Sequence, residues 1–369
     1  MPKPRARALG LDFPGEPGAW NAITDVAGVR VGMTTLIAGE GPLVQGQGPV
    51  RTGVTAILPR ADAERPTPVW AGTFVLNGNG EMTGSHWIED AGYFLGPVCI
   101  TNTHSVGMVH HGVTAWMIQR YREAFEDSRM WVMPVVAETC DSTLNDINGL
   151  HVKPEHVFAA LDGAQSGPVP EGNVGGGTGM IAYEFKAGTG TASRRVRIGG
   201  ADYTVGVLVQ ANHGLRPWLS VLGVPVGREM TADRLRDTEA GSIIAVVATD
   251  APLSAFSLRH VARRAALGVG RGGTPGGNGS GDLFLAFSTA NQREMPELSG
   301  PMETFEFLNG EYLNPLYLGA VEAVEEAVIN AMVAAEDMTT LNPAGRVCRA
   351  IDTGGLVDVL RKHGRLRAS

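Results

Sequence analysis

The sequence predicts a mixed α/β protein, and two patterns carry that prediction. Short runs rich in β-branched residues, each bounded by glycine or proline, recur along the chain, and amphipathic helical stretches are interleaved with them. Several runs are apolar throughout instead of alternating, which fits strands covered on both faces. With 369 residues, 43% of them hydrophobic and 18% charged, the chain can bury a sizeable core. Its 50 glycines and 22 prolines imply many tight turns.

In chain order, strands are predicted over 29–31, 54–58, 70–76, 98–101 and 131–136. Residues 109–125 place Val113, Met117 and Tyr121 at helical spacing and carry their charges toward the end, so they form a helix. Further strands are predicted over 178–185, 196–198, 203–210 and 243–248. Asp250 is placed to cap the next helix, with Pro252 in its first turn and Leu253, Phe256, Leu258 and Val261 on its apolar side. That helix ends near Gly268. The last strong helix spans 315–336, with Val321, Val324, Val328 and Ala331 on one face and Glu322, Glu325 and Glu326 off it, a solvated acidic face. Residues 292–311 are the most loop-like. No repeat or long polar linker interrupts the chain, so residues 1–369 are expected to form one domain.

Charge and cysteine content exclude several function classes. A net charge of −8 and no run of basic residues leave no electrostatic footprint for nucleic acid. Three cysteines without paired spacing encode neither a disulfide framework nor a zinc ribbon, and a reducing, cytoplasmic compartment is expected. No apolar stretch reaches the roughly 18–20 residues that span a bilayer, and no secretory h-region forms at the N-terminus.

The most informative segment is 272–282, Gly-Gly-Thr-Pro-Gly-Gly-Asn-Gly-Ser-Gly-Asp, which sets Ser280 between two glycines ahead of the apolar run 283–287. Glycine on both flanks lets another group approach the Gly279–Ser280 peptide as well as the hydroxyl, although a mobile glycine loop accounts equally well for the composition alone. The loop lacks the lysine of a P-loop. Gly268, Gly270 and Gly273 match a dinucleotide-binding spacing but follow a helix instead of a strand, so no cofactor is predicted. His104, His110 and His111 read as structural histidines, and no metal is expected. Asp141, Asn145 and Asp146 read first as a network of capping side chains, with a cation site as the alternative. Asn212 ends an apolar strand, where its amide either projects into a site or makes a turn with Gly214.

Ordered blocks run nearly end to end: Gly-Ala-Trp-Asn-Ala-Ile-Thr-Asp-Val over 18–26, Asn-Gly-Asn-Gly-Glu-Met-Thr-Gly over 77–84, Thr-Asn-Thr-His-Ser-Val-Gly over 101–107 and Val-Ala-Glu-Thr over 136–139. They continue with Val-Gly-Gly-Gly-Thr-Gly over 174–179, Val-Gln-Ala-Asn over 209–212, Asn-Gly-Ser-Gly-Asp over 278–282 and Glu-Glu-Ala over 325–327. In these blocks the chain resembles the family of L-aminopeptidase/D-esterase and β-peptidyl aminopeptidase enzymes. The resemblance implies a four-layer αββα fold, similar to N-terminal nucleophile hydrolases but connected differently. It also implies a precursor that cuts itself between Gly279 and Ser280, giving an α chain 1–279 and a β chain 280–369 that assemble as a homo-oligomer of four processed units.

By the same resemblance Ser280 is the nucleophile, Asn212 the side-chain donor to the oxyanion, Glu326 the acidic residue near the nucleophile, and Glu138 the acceptor of the substrate's amino group. The substrate is then a small peptide, amide or ester. Two positions depart from the family pattern: Val324 stands where a hydroxyl residue is expected, and Cys140 where an aromatic lines the substrate pocket. An acyltransferase of related fold, or an uncleaved binding homologue, are the competing readings.

Overall fold

The computed structural model describes residues 3–127 and 130–366. Its strands are β1 Arg30–Ala38, β2 Val50–Leu58, β3 Val69–Gly78, β4 Tyr93–Phe94, β5 Val98–Asn102, β6 Val135–Thr139, β7 Ile181–Ala182, β8 Phe185–Lys186, β9 Gly188–Ile198, β10 Ala201–Asn212, β11 Gly241–Thr249, β12 Ser280–Ser288, β13 Met338–Leu341 and β14 Ala344–Cys348. Its helices are α1 Ser85–Ala91, α2 Val106–Arg120, α3 Arg122–Asp127, α4 Pro154–Asp162, α5 Val226–Glu229, α6 Ala255–Arg271, α7 Asn314–Val333 and α8 Thr353–Lys362.

Two sheets dominate, one of four strands in the order β1-β2-β5-β6 and one of six in the order β4-β3-β12-β11-β10-β9. Three cores separate the layers. One joins α2 and α4 to the four-stranded sheet through Val54, Val113, Met117 and Val157. A second fills the space between the sheets with Ile57, Ile100, Leu208, Val246 and Leu285. The third joins the six-stranded sheet to α6 and α7 through Val207, Val247, Leu258, Val261 and Val324. The layers therefore run αββα, as the resemblance implied.

The crossover β11–α6–β12 places the glycine loop. β11 and β12 are parallel, with Gly241 level with Ser280, so α6 must carry the chain back and the 272–279 loop delivers Ser280 to the head of the strand. Helix α6 folds on a stripe of Leu258, Val261, Ala262, Ala265 and Val269. Its N-cap is Ser254, whose Oγ accepts from Ser257 N at 3.2 Å, not Asp250 as the sequence suggested. The Asp250 carboxylate instead accepts from Thr204 N at 2.8 Å and ties the ends of two strands together.

Three other expectations change. The strand predicted over 131–136 begins only at Val135, because Pro134 cannot donate to a ladder. The run 178–185 bends into the β7–β8 hairpin, with Tyr183 and Glu184 at φ 50° and 63°. The Glu184 carboxylate collects three backbone N–H groups, from Arg216, Leu235 and Arg236, and this local network overrides β propensity. Helix α7 has no solvated acidic face: Glu322, Glu325 and Glu326 are all buried.

Candidate active site

The heads of β11 and β12 meet the ends of β5, β6 and β10 at one edge of the sandwich, and the sequence-predicted residues divide around that edge. Ser280 is fully buried. Its Oγ donates to Asp282 Oδ1 at 2.6 Å, and its backbone N–H donates to Gly277 O at 2.9 Å. The Gly279 carbonyl accepts from Asn79 Nδ2 at 2.7 Å. The other Asp282 oxygen accepts from Asn77 Nδ2 at 3.0 Å. Burial pushes the Asp282 carboxyl above its ordinary range, against the pull of the bonds from Ser280 and Asn77.

Strand alternation sets which side each group faces. Phe284 and Ala286 belong to the core under the helices, whereas Leu283 and Leu285 belong to the core between the sheets. Ser280 and Asp282 share the register of the first pair, Gly281 that of the second. Glu138 lies on the inter-sheet side: a Cβ on Gly80 would lie 3.3 Å from both Glu138 Oε1 and Gly281 Cα. One residue of backbone thus separates the serine hydroxyl from the glutamate.

Glu138 is the penultimate residue of β6 and is buried. Its Oε1 accepts from Glu81 N at 2.9 Å and its Oε2 accepts from the Thr103 hydroxyl. Desolvation raises its pKa, and those two bonds hold it back. The Cys140 side chain is exposed beside it, 3.2 Å from Ser142 Oγ.

Asn212 is reached through the same segment. Its Nδ2 donates to Cys140 O at 3.0 Å and its Oδ1 accepts from Ile181 N at 2.9 Å. It is level with Ser242 on β11 and, through it, with Gly281 on β12. Gln210, two residues earlier, binds Thr101 O at 2.9 Å and Thr139 Oγ1 at 2.8 Å, which fixes the two sheets to each other here.

Glu326 does not join this group. Its carboxylate receives Arg7 Nε at 2.8 Å, Arg194 Nη2 at 2.8 Å and Asn21 Nδ2 at 2.6 Å. Arg194 lies on the edge strand β9, three steps across the sheet from β12, or roughly 14 Å at the usual strand spacing. The sequence expectation that Glu326 stands by the nucleophile is thus not met. Glu325 is likewise engaged elsewhere, with Arg271 at 3.1 Å. Val324 is core: a Cβ on Gly268 of α6 would fall 2.7 Å from its own Cβ, so the missing hydroxyl sits in helix packing.

The polar segment after β6 is a capping network. Asn145 donates to Asp141 Oδ1 at 3.0 Å and accepts from Arg51 N at 2.9 Å, and Asp146 accepts from Gly46 N at 2.7 Å. Among the described residues no cluster of His, Cys, Asp or Glu could hold a metal ion, and no helix is long and apolar enough to cross a membrane. Asn79 and Asp282 were missed by sequence reasoning. Asn79 reads as an Asn-Gly turn, while Asp282 carried a usable signal, its same-face spacing two residues beyond Ser280.

The chain is similar to known proteins over nearly its whole length. The chain is 50% identical to the β-peptidyl aminopeptidase BapA of Sphingosinicella microcystinivorans, over 99% of this chain and 94% of that protein. It superposes on the L-aminopeptidase D-Ala-esterase/amidase of Ochrobactrum anthropi, a serine aminopeptidase with a variant of the Ntn hydrolase fold, with a TM-score of 0.94 and 56% identity, covering 99% of this chain and 100% of that one. A Burkholderia β-aminopeptidase matches with a TM-score of 0.87 and 44% identity, over 98% and 99% of the two chains. Residues 21–345 match peptidase family S58, and the chain belongs to that family of serine aminopeptidases with the Ntn hydrolase fold.

Proposed function

We propose that the chain is a self-cleaving serine aminopeptidase that removes N-terminal residues from short peptides, amides or esters through an acyl-enzyme on Ser280. The observation that carries the reading is the placement of the Gly279–Ser280 peptide at the head of β12, its hydroxyl and its carbonyl each held by a side chain. Gly279 adds no crowding, since the nearest atom to a Cβ there would be 4.0 Å away. Ser280 is buried beneath its own loop in the continuous chain, so a substrate reaches it only after the loop is released.

Cutting before Ser280 makes it an N-terminus. Its α-amine, with an ordinary pKa of roughly 7.7–8.0, is partly neutral near pH 7 and serves as general base for its own hydroxyl. The free residue can also turn toward the inter-sheet side, where Glu138 receives the substrate's ammonium in a charge-assisted bond. Asn212 supplies its Nδ2 to the oxyanion, and water releases the acyl group. No step is assigned to Glu326. The α chain 1–279 and β chain 280–369 would remain one folded unit, assembled as a homo-oligomer of four. Three free thiols, Cys99, Cys140 and Cys348, suit a cytoplasmic setting.

Intact mass of the purified protein tests the reading directly. The expected species are the 1–279 and 280–369 chains, and Ser280→Ala should stay whole and hydrolyse no aminoacyl amide. A variant that still turns over substrate would remove Ser280 from the chemistry.

A further inference from the structure

Resting on the reading of Ser280 as a self-cleaving residue, we propose that the cut has catalytic groups of its own: Asn79 stabilises the oxyanion that forms on Gly279, and Asp282 takes the proton from the Ser280 hydroxyl. Both touch the reacting atoms. Asn79 Nδ2 is 2.7 Å from the scissile carbonyl oxygen, and Asp282 Oδ1 is 2.6 Å from the attacking Oγ.

The step balances on these two side chains and water. As the Oγ–C bond to Gly279 forms, the hydroxyl proton passes to Asp282 and the carbonyl π pair moves onto the oxygen held by Asn79. The C–N bond then breaks, the Ser280 nitrogen takes the proton back from Asp282, and an ester joins Gly279 to Ser280 Oγ. Water adds to that ester, one of its protons passes to Oγ as the Oγ–C bond breaks and the other to the amine or solvent, and a Gly279 carboxylate and a Ser280 with free hydroxyl and amine remain.

Other groups near the loop are placed for different tasks. Asn212 spends its carbonyl on Ile181 N at 2.9 Å and one amide hydrogen on Cys140 O at 3.0 Å, and it does not touch Gly279. Glu239 accepts from Gly214 N at 3.1 Å and from Thr274 Oγ1 at 3.2 Å, and a Cβ on Gly277 would strike its Oε2 at 1.6 Å. It therefore braces the loop at Gly277 without reaching the hydroxyl. The precursor cannot use its α-amine as base, because that nitrogen is still an amide, and Asp282 occupies the role until the cut creates the amine. Asn77 holds the second Asp282 oxygen at 3.0 Å and Gly277 O at 3.2 Å, which orients the carboxylate against the turn.

The test follows conversion of full-length chain to the two fragments by intact mass in wild type, Asn79→Ala, Asn79→Asp and Asp282→Asn. Loss of one oxyanion donor should slow the cut about 100- to 1000-fold, and loss of the base about 100-fold or more. Added hydroxylamine, which captures an ester, should not rescue either variant, since both are blocked before the ester forms. Cutting at the wild-type rate in the Asn79 variants, or acceleration of any variant by hydroxylamine, would overturn the proposal. Melting curves report folding. Asn79 is exposed, so its variants carry the test if Asp282→Asn misfolds. A wild-type chain that stays whole would instead sink the self-cleavage reading itself.

Discussion

Glu138, proposed above to receive the substrate's ammonium, is a carboxylate whose surroundings can be read bond by bond. It is held by a backbone N–H and a hydroxyl near the end of β6, and neither of these partners carries a charge. Glu138→Gln keeps the shape and one acceptor oxygen for Glu81 N, lets the Thr103 hydroxyl turn round to accept from the amide, and removes the charge. KM for an aminoacyl amide should rise about 10- to 100-fold with kcat changed far less, the signature of a lost charge-assisted contact to a group whose bonds do not change in the reaction. An equal loss in kcat and kcat/KM would place Glu138 in the transition state instead. Its type and its position in a Val-Ala-Glu-Thr block were legible in the sequence. Its partners were not, because Glu81 and Thr103 arrive from segments 57 and 35 residues away.

At the scale of elements, helix α7 shows where pattern reasoning fails. Three glutamates off the apolar stripe look solvated when the helix is considered alone. The N-terminal arm and β9 bring Arg7 and Arg194 to Glu322 and Glu326, with Arg194 only 1% exposed, while Arg271 of α6 meets Glu325. Glu326→Ala strands a buried guanidinium, which should cost about 3–5 kcal/mol of stability in denaturant unfolding. The fraction of chain that folds and cuts should still hydrolyse substrate. Loss of turnover in a protein of unchanged stability would return Glu326 to the chemistry. The β11–α6–β12 crossover, by contrast, follows closely from its sequence: two apolar runs, an amphipathic stripe between them and a glycine loop before the second.

For the whole molecule, the buried charges set how stability follows pH. Lys186 is fully enclosed on β8, its Nζ donating to Met180 O at 3.0 Å and Ala187 O at 2.6 Å, and burial lowers its pKa to about 7. Between about 7 and the ordinary 10.5 the unfolded chain holds this proton and the folded one does not, so Lys186 makes stability rise with pH across that window. Asp141, pushed up to about 7 by burial, acts in the opposite direction on the acid side, from about 4 to 7. Lys186→Met should remove only the alkaline rise: any advantage of the variant in melting temperature should shrink steadily from pH 7 to 10, and a pH-independent difference would refute the assignment. The sequence by itself determined the α/β class, most strands, the glycine loop and its serine, because these depend on local periodicity and residue type. Tertiary structure alone decided that Asn79 meets Gly279 across 200 residues, that Glu138 lies on the other face of β12 from the serine hydroxyl, and that Glu326 serves an ion cluster. Those outcomes depend on strand order, register and face, which no local pattern encodes.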